Sequence, residues 1–245
     1  MSPTGNLISQ ATPVPWYWHE ADLFADADPE VRADFEACSD VQTFRARQPI
    51  FHANDAADRV FLLERGMVKI YHLSAFGDVT IFWFCMPGDL FGAGGISGSL
   101  QQSVYGQAVD TCRVRVLPRA TFENLVRTHP QLGLNVIRFM GARLRLACDA
   151  ATDHVTRRAD ARLARILLRL AQQCGRLEGD ATKVDAPVTN QELANMVGAT
   201  RQTVNQLLKQ FERAGWLRFE QRRLVVLEPQ ALARCFEEDG RAAKS

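Results

Sequence analysis

Arg201, Gln202, Asn205, Gln206 and Lys209 are side chains of the kinds that read nucleic acid. All are long, planar or basic, and at helical spacing they share one side of a helix. An arginine there takes guanine O6 and N7 bidentately, and an asparagine or glutamine takes adenine N6 and N7. On the opposite side Val204, Leu207, Leu208 and Phe211 recur at i, i+3, i+4 and i+7. That periodicity predicts a helix with one buried face and one polar face. An ordinary amphipathic hairpin with a solvated outer face shows the same bipartite pattern, so the flanking residues decide.

Those flanks are informative. Thr189 and Glu192 form an S/T-x-x-E capping box, which starts a preceding helix at about Asn190. Leu193, Met196 and Val197 give it an apolar stripe, Gly198 supplies a sharp turn, and Thr200 can cap the second helix. After Gly215, Trp216 to Glu220 and Leu224 to Leu227 read as two short strands around a basic turn, Gln221-Arg222-Arg223. Helix, turn, helix and hairpin make a winged helix-turn-helix. Its expected DNA contacts are Thr189, Asn190, Gln191, Thr200, Arg201, Gln202, Asn205, Gln206, Lys209, Arg222 and Arg223. The wing arginines suit phosphates, and the second helix suits base edges.

The chain has 245 residues, enough for two domains with their own cores. An apolar fraction of 47% argues against disorder. The net charge of +1 hides an asymmetry: acidic residues outnumber basic ones before Thr156, and the reverse holds after it. That suits a protein touching nucleic acid with its C-terminal half. The six cysteines contain no C-x-x-C pair, so neither a zinc ribbon nor a disulfide framework is expected. The amino end lacks the charged start and apolar core of a signal sequence, and Val79 to Met86 is too short to span a bilayer. The expectation is a cytosolic protein without a membrane partner.

The elements that position this module lie on its amino-terminal side. Residues 1–22 read as an irregular arm with Trp16, Tyr17 and Trp18. A short helix follows from Asp28-Pro29 to about Cys38, with Val31, Phe35 and Cys38 inward. Seven short strands then occupy Val41 to Phe44, Pro49 to Phe51, Arg59 to Glu64, Gly66 to His72, Val79 to Phe84, Tyr105 to Val109 and Cys112 to Leu117. Strands at this spacing suggest a small antiparallel barrel or jelly roll. Helices return at Thr121 to Thr128 and, past Pro130, from about Gln131 to His154. The long helix carries Leu132, Val136, Phe139, Met140, Leu144 and Ala147, a stripe for which a second copy of the chain is the simplest partner. Arg157 to Gln173 is a further helix, and Cys174 to Ala186 a polar loop. The expected fold class is α+β. Its domains are an arm at 1–22, a β-roll sensor at 23–128, a dimerisation helix at 129–155, a winged helix-turn-helix at 156–236 and a tail at 237–245.

Barrel, long helix and winged helix together resemble the cyclic-AMP receptor protein/FNR (Crp/Fnr) family of bacterial transcription regulators. The most specific segments are Val188 to Leu217, Gly66-Met-Val-Lys, Pro87-Gly-Asp-Leu-Phe-Gly and Arg162-Leu-Ala-Arg-Ile-Leu-Leu-Arg-Leu. The resemblance implies a homodimer, a palindromic double-stranded DNA site, RNA polymerase as a partner, and an effector-sensing barrel. It also implies a pocket at Trp83, Gly92, Ala93, Gln102, Ser103, Tyr105, Ala147 and Cys148.

Departures from the family pattern bear on that pocket. Ala93 stands where cyclic-nucleotide binders carry a glutamate for the ribose, and Gln102 where they carry an arginine for the phosphate. Losing the arginine removes a charge-assisted bond roughly twice as strong as a neutral one. Ala147 and Cys148 replace the hydroxyl pair that meets the adenine, so cyclic AMP is not the expected ligand. An iron–sulfur cluster is not expected either, because no cysteine precedes Cys38 and a cluster takes about four thiolates. Haem, with His72 and Cys85 as axial ligands, is an alternative, as is a small apolar molecule between Trp83 and Tyr105, or no ligand. In the recognition helix, Gln202 and Gln206 replace the family's Glu and second Arg, which predicts a half-site keeping one guanine. A haem- or small-molecule sensor whose output is not DNA binding is the competing class; the polar face from Arg201 to Lys209 speaks against it. An enzyme has little support: the histidines form no H-E-x-x-H pair, and Ser97 lacks a G-x-S-x-G elbow.

Overall fold

The computed structural model describes residues 22–93, 98–220 and 223–242. The aromatic arm with Trp16 to Trp18, residues Gly94 to Ser97 after the Pro87-Gly-Asp-Leu-Phe-Gly segment, and Arg222 of the wing lie outside the described residues. The chain divides into two compact units, one ending at Leu144 and one starting at Arg145, so the division falls within a single long helix.

In the first unit, α1 (Pro29–Ala37) precedes eight strands: β1 (Asp40–Phe44), β2 (Pro49–Phe51), β3 (Arg59–Arg65), β4 (Val68–Leu73), β5 (Val79–Cys85), β6 (Leu90–Phe91), β7 (Tyr105–Ala108) and β8 (Cys112–Pro118). They form two four-stranded sheets, ordered β1-β8-β3-β6 and β2-β7-β4-β5, with antiparallel pairing throughout. Strand β3 explains how the layers stack. Phe61 and Leu63 face the core between the sheets, while Val60 and Leu62 face the helices. Alternation thus buries both faces of one strand, which reads in sequence as an unbroken apolar run. The two-residue β6 was not foreseen, being too short to show periodicity. Cys38, expected inward, is exposed at the C-terminus of α1, where its N–H caps the helix on Asp34 O.

Helix α2 (Arg119–Thr128) and α3 (Pro130–Thr156) follow, with Pro130 at the helix start where its missing N–H costs nothing. The single stripe expected on α3 separates into two faces. Leu132 and Phe139 are buried with Val31, Phe35 and Phe122 in the first unit's own helical core. Leu134, Ile137, Leu144 and Val155 are exposed, the last by 86%.

The second unit contains α4 (Ala159–Cys174), β9 (Gly175–Glu178), β10 (Ala181–Val184), α5 (Asn190–Val197), α6 (Arg201–Arg213), β11 (Leu217–Glu220), β12 (Arg223–Val226) and α7 (Pro229–Ala242). Its sheet is ordered β11-β12-β10-β9. The segment expected as a polar loop is therefore a hairpin, with Gly179 at φ +66 allowing a tight turn between Glu178 and Ala181. Likewise the residues expected as a tail from 237 continue α7 to Ala242.

Candidate DNA-reading surface and sensor barrel

Local sequence sets α5 and α6. Thr189 Oγ1 accepts the Glu192 amide at 3.2 Å, and Glu192 Oε2 accepts the Thr189 amide at 2.9 Å, a complete capping box. Gly198 adopts φ +67, ψ +46, the left-handed conformation that ends α5. A Cβ there would lie 2.5 Å from His154 Cε1, so glycine is required by backbone and by space. Thr200 Oγ1 then caps α6 by accepting the Thr203 amide at 3.1 Å. Val204, Leu208 and Phe211 bury one face of α6, and Phe211 stacks on Trp216 at 5.1 Å.

The opposite face is open. Arg201, Gln202, Gln206 and Lys209 are exposed, and their side chains make no hydrogen bond among the described residues. Asn205 differs, because its Oδ1 accepts Asn190 Nδ2 at 2.7 Å across the two helices. Gln191 is held by Asn195 at 2.9 Å. Thr189 and Thr200, expected as DNA contacts, have their hydroxyls engaged as caps. Arg223, expected to be free for phosphate, is paired with Asp185 beyond β10. At about half exposure such a pair contributes little, so a phosphate can displace it.

In the barrel, Trp83 faces inward opposite Ile70, while Tyr105 faces outward and stacks on Tyr71 at 5.1 Å. The two therefore lie on opposite faces of the sheet and do not line one pocket. The interior holds a stack of Phe51, Phe61 and Phe91, with centroids 5.2 to 6.3 Å apart. Gly92 lies against this stack, where a Cβ would meet Phe61 at 2.4 Å. Gln102 is buried, and its Nε2 donates to Gly92 O at 3.1 Å. Ser103, Ala147 and Cys148 are exposed, and Ala93 is half-buried.

The haem alternative does not fit. His72 is exposed and pairs with Thr80, whereas Cys85 is buried and pairs with Val68 at the far end of β4. The His72 side chain opens to solvent and that of Cys85 sits in the closed core between the sheets, so the two do not face a common cavity. Burial also pushes the Cys85 thiol up to about 12, despite the nearby Arg143. Arg143 was not singled out in the sequence. It lies 2.5 Å from Asp89, 5.2 Å above the Trp83 ring and 5.0 Å from that of Phe139. Burial raises the Asp89 carboxyl above its usual range, against the pull of Arg143.

Two families match the chain: a cyclic nucleotide-binding domain over residues 41–129 and a Crp-like helix-turn-helix domain over 161–235. A CRP-like cAMP-activated global transcriptional regulator of Mycobacterium tuberculosis is 27% identical over 214 residues, covering 87% of this chain and 96% of that protein. The fumarate and nitrate reduction regulatory protein of Escherichia coli is 26% identical over 186 residues, covering 76% and 74%.

The chain belongs to the Crp/Fnr family of transcription regulators.

The Crp/Fnr fold is seen again in solved structures. FixK2 from Bradyrhizobium japonicum superposes with a TM-score of 0.72 at 23% identity, covering 80% of this chain and 96% of that one. A CooA mutant from Carboxydothermus hydrogenoformans gives 0.71 at 24% identity, covering 88% and 96%. As in other Crp/Fnr proteins, a helix-turn-helix supplies the DNA-binding element. No helix among the described residues is long and apolar enough to cross a membrane.

Proposed function

We propose that this Crp/Fnr protein acts in the cytoplasm as a homodimer, binds a two-fold symmetric duplex through α6, and does not take cyclic AMP as its effector. One observation carries the DNA reading: the caps and apolar side of α6 are all committed, and the side carrying Arg201, Gln202, Gln206 and Lys209 is exposed. Arg201 and the amides of Gln202, Asn205 and Gln206 are assigned to base edges. Lys209, the starts of α5 and α6 (Thr189, Asn190, Gln191, Thr200) and the wing arginines Arg222 and Arg223 are assigned to the backbone.

Support for the dimer comes from α3. Leu134, Ile137, Gly141, Leu144, Cys148, Ala151 and Val155 alternate at spacings of three and four, and none of them is buried. This is a heptad seam, and a second copy of α3 is its natural partner. Two copies related by a two-fold axis present two α6 helices to half-sites about one helical turn apart. RNA polymerase is the partner that a regulator bound at a promoter addresses.

The relative from Mycobacterium tuberculosis is described as cAMP-activated. That property does not carry over, because Ala93 offers nothing to a ribose hydroxyl and Gln102 is bonded to Gly92 O instead of awaiting a phosphate. The test is a fluorescence titration of a duplex selected from a random pool, with and without cyclic AMP, alongside calorimetry of cyclic AMP alone. Sub-micromolar binding of a palindrome with no calorimetric isotherm supports the proposal. Saturable one-to-one cyclic AMP binding at micromolar concentration removes its effector clause, and failure to enrich any duplex removes the DNA clause.

A further inference from the structure

Arg162, in the first turn of α4, reaches away from its own helix. Its Nε donates to Val197 O at 2.9 Å, and its Nη1 donates to Arg157 O at 2.6 Å. Val197 ends α5 just before the left-handed Gly198. Arg157 follows the end of α3, and its own N–H still bonds Asp153 O at 3.0 Å, so it continues the last turn of that helix. A guanidinium only donates and a carbonyl only accepts, so neither bond can be reversed. A positive charge in the first turn of a helix opposes the helix dipole, so Arg162 stands where α4 by itself disfavours it. Helix α5 has no basic residue in its last turn, and Val197 O is among the carbonyls that a helix end leaves open. Arg162 supplies both the donor and the charge. The ring of His154, in the last turn of α3, packs on Gly198 beside it.

The exposed seam of α3 runs through Cys148, Ala151 and Val155, and so ends two residues before Arg157. The path from seam to reading helix is therefore short: Val155, the Arg157 carbonyl, Arg162, the Val197 carbonyl, then the turn into α6. We infer that Arg162 is a positioning residue for DNA recognition: by holding the α5–α6 turn to the end of the dimer helix, it fixes how far apart the two α6 helices stand, and so the half-site spacing that the dimer accepts. The inference rests on the homodimer and DNA-binding reading above and names what sets one parameter of it. On a mis-spaced site, α6 can shift only by distorting this link or breaking it. The spacing discrimination that Arg162 supplies cannot exceed the worth of its bonds, and one hydrogen bond to a charged group corresponds to a factor of roughly ten or more. A plain helix cap is the competing explanation, and it lowers stability on removal while leaving the spacing preference unchanged.

The experiment takes the site that the full chain selects from a random duplex pool and adds or removes one base pair between its half-sites. Binding of the unsubstituted protein, Arg162→Met and Arg162→Lys is compared on the three duplexes, with far-ultraviolet circular dichroism as a check on folding. Methionine keeps much of the stem and removes every donor, whereas lysine keeps the charge but puts one ammonium in place of a fork that reaches two carbonyls. Arg162→Met should shrink the penalty for altered spacing by roughly tenfold and rank the bases within a half-site as before. Arg162→Lys should shrink it by less. An unchanged penalty in Arg162→Met, or in Arg162→Lys where the methionine variant does not fold, makes Arg162 a cap and overturns the inference. So does weaker binding at every spacing with a smaller salt slope, which marks a phosphate contact, or a changed base preference within the half-site. An unsubstituted protein that enriches no duplex overturns the DNA-binding reading, and one that enriches single half-sites at no fixed spacing overturns the dimer. Either result removes this inference as well.

Discussion

Arg165 Nη1 lies 2.5 Å from Asp153 Oδ2, joining α4 to the last turns of α3 at a corner where both side chains are largely buried. Around this pair, Arg165 Nη2 reaches Asp149 at 2.6 Å, and Arg157 Nε reaches the other Asp153 oxygen at 3.0 Å. Arg157 also lies 3.6 Å above the Phe236 ring and donates to the Phe236 carbonyl, and Arg162 donates to Val197 O at the end of α5. Asp153 therefore anchors a network joining the end of α3, α4, α5 and α7 within the second unit.

Removing one member of such a pair leaves a buried charge uncompensated. Asp153→Ala should lower the stability of the second unit by about 3 kcal/mol, and Arg165→Ala by a similar amount. In the double variant the two losses should not add, because both report one network. Urea denaturation of the full chain followed by far-ultraviolet circular dichroism measures this. A loss below about 0.5 kcal/mol for Asp153→Ala would place the pair among ordinary surface salt bridges.

Leu144→Arg puts a charge in the middle of the exposed seam without touching either unit's core. The variant should keep its far-ultraviolet circular dichroism spectrum, become monomeric by light scattering, and lose site-specific DNA binding. Leu132→Arg, buried in the first unit, should unfold that unit instead. A Leu144→Arg protein that remained dimeric would put the interface on another face.

Arg201→Ala should cost about 1–3 kcal/mol on the selected site and relax discrimination at one guanine. Uniformly reduced affinity for all sequences, with a salt slope smaller by about one, would reassign Arg201 to a phosphate. Competition binding at two salt concentrations separates these outcomes.

Burial holds the thiols of Cys85, Cys112 and Cys174 up at about 12, from a usual value of 9.0. Alkylation of the native protein at pH 8 should thus modify exposed Cys38 and spare Cys85 and Cys112. The sign of the stability effect follows. Above pH 9 the unfolded chain releases these protons while the folded chain keeps them to about pH 12, so rising pH favours unfolding across that window. Mass spectrometry after labelling, and melting temperatures from pH 8 to 11, check the two halves.

Sequence was most legible where the determinants were local. The Thr189–Glu192 box, the left-handed Gly198 and the Thr200 cap each need only neighbours within four residues. In the hairpin β9–β10, charged residues in both strands mask the alternation, although Gly179-Asp180 between two short runs is a hairpin signal. The faces of α3 were merged because a stripe records apolar residues and not which neighbour covers each. Leu132 meets the first unit's core, while Leu144 is 66% exposed. Arg143 with Asp89 joins positions 54 residues apart, which no spacing rule connects. The Trp83–Tyr105 pocket failed on strand parity, which only the register supplies.

Because β12 is hydrogen-bonded on one side to β11 and on the other to β10, the wing ribbon is the outer half of a four-stranded sheet. A two-stranded hairpin by itself is marginal in water and would become ordered only against its target. Here the backbone order of the β12 strand is established when the unit folds, so little of that entropy is left to be lost at encounter with the duplex. In hydrogen–deuterium exchange, the Val225 and Val226 amides should already be slow in the unbound protein and change little when DNA is added.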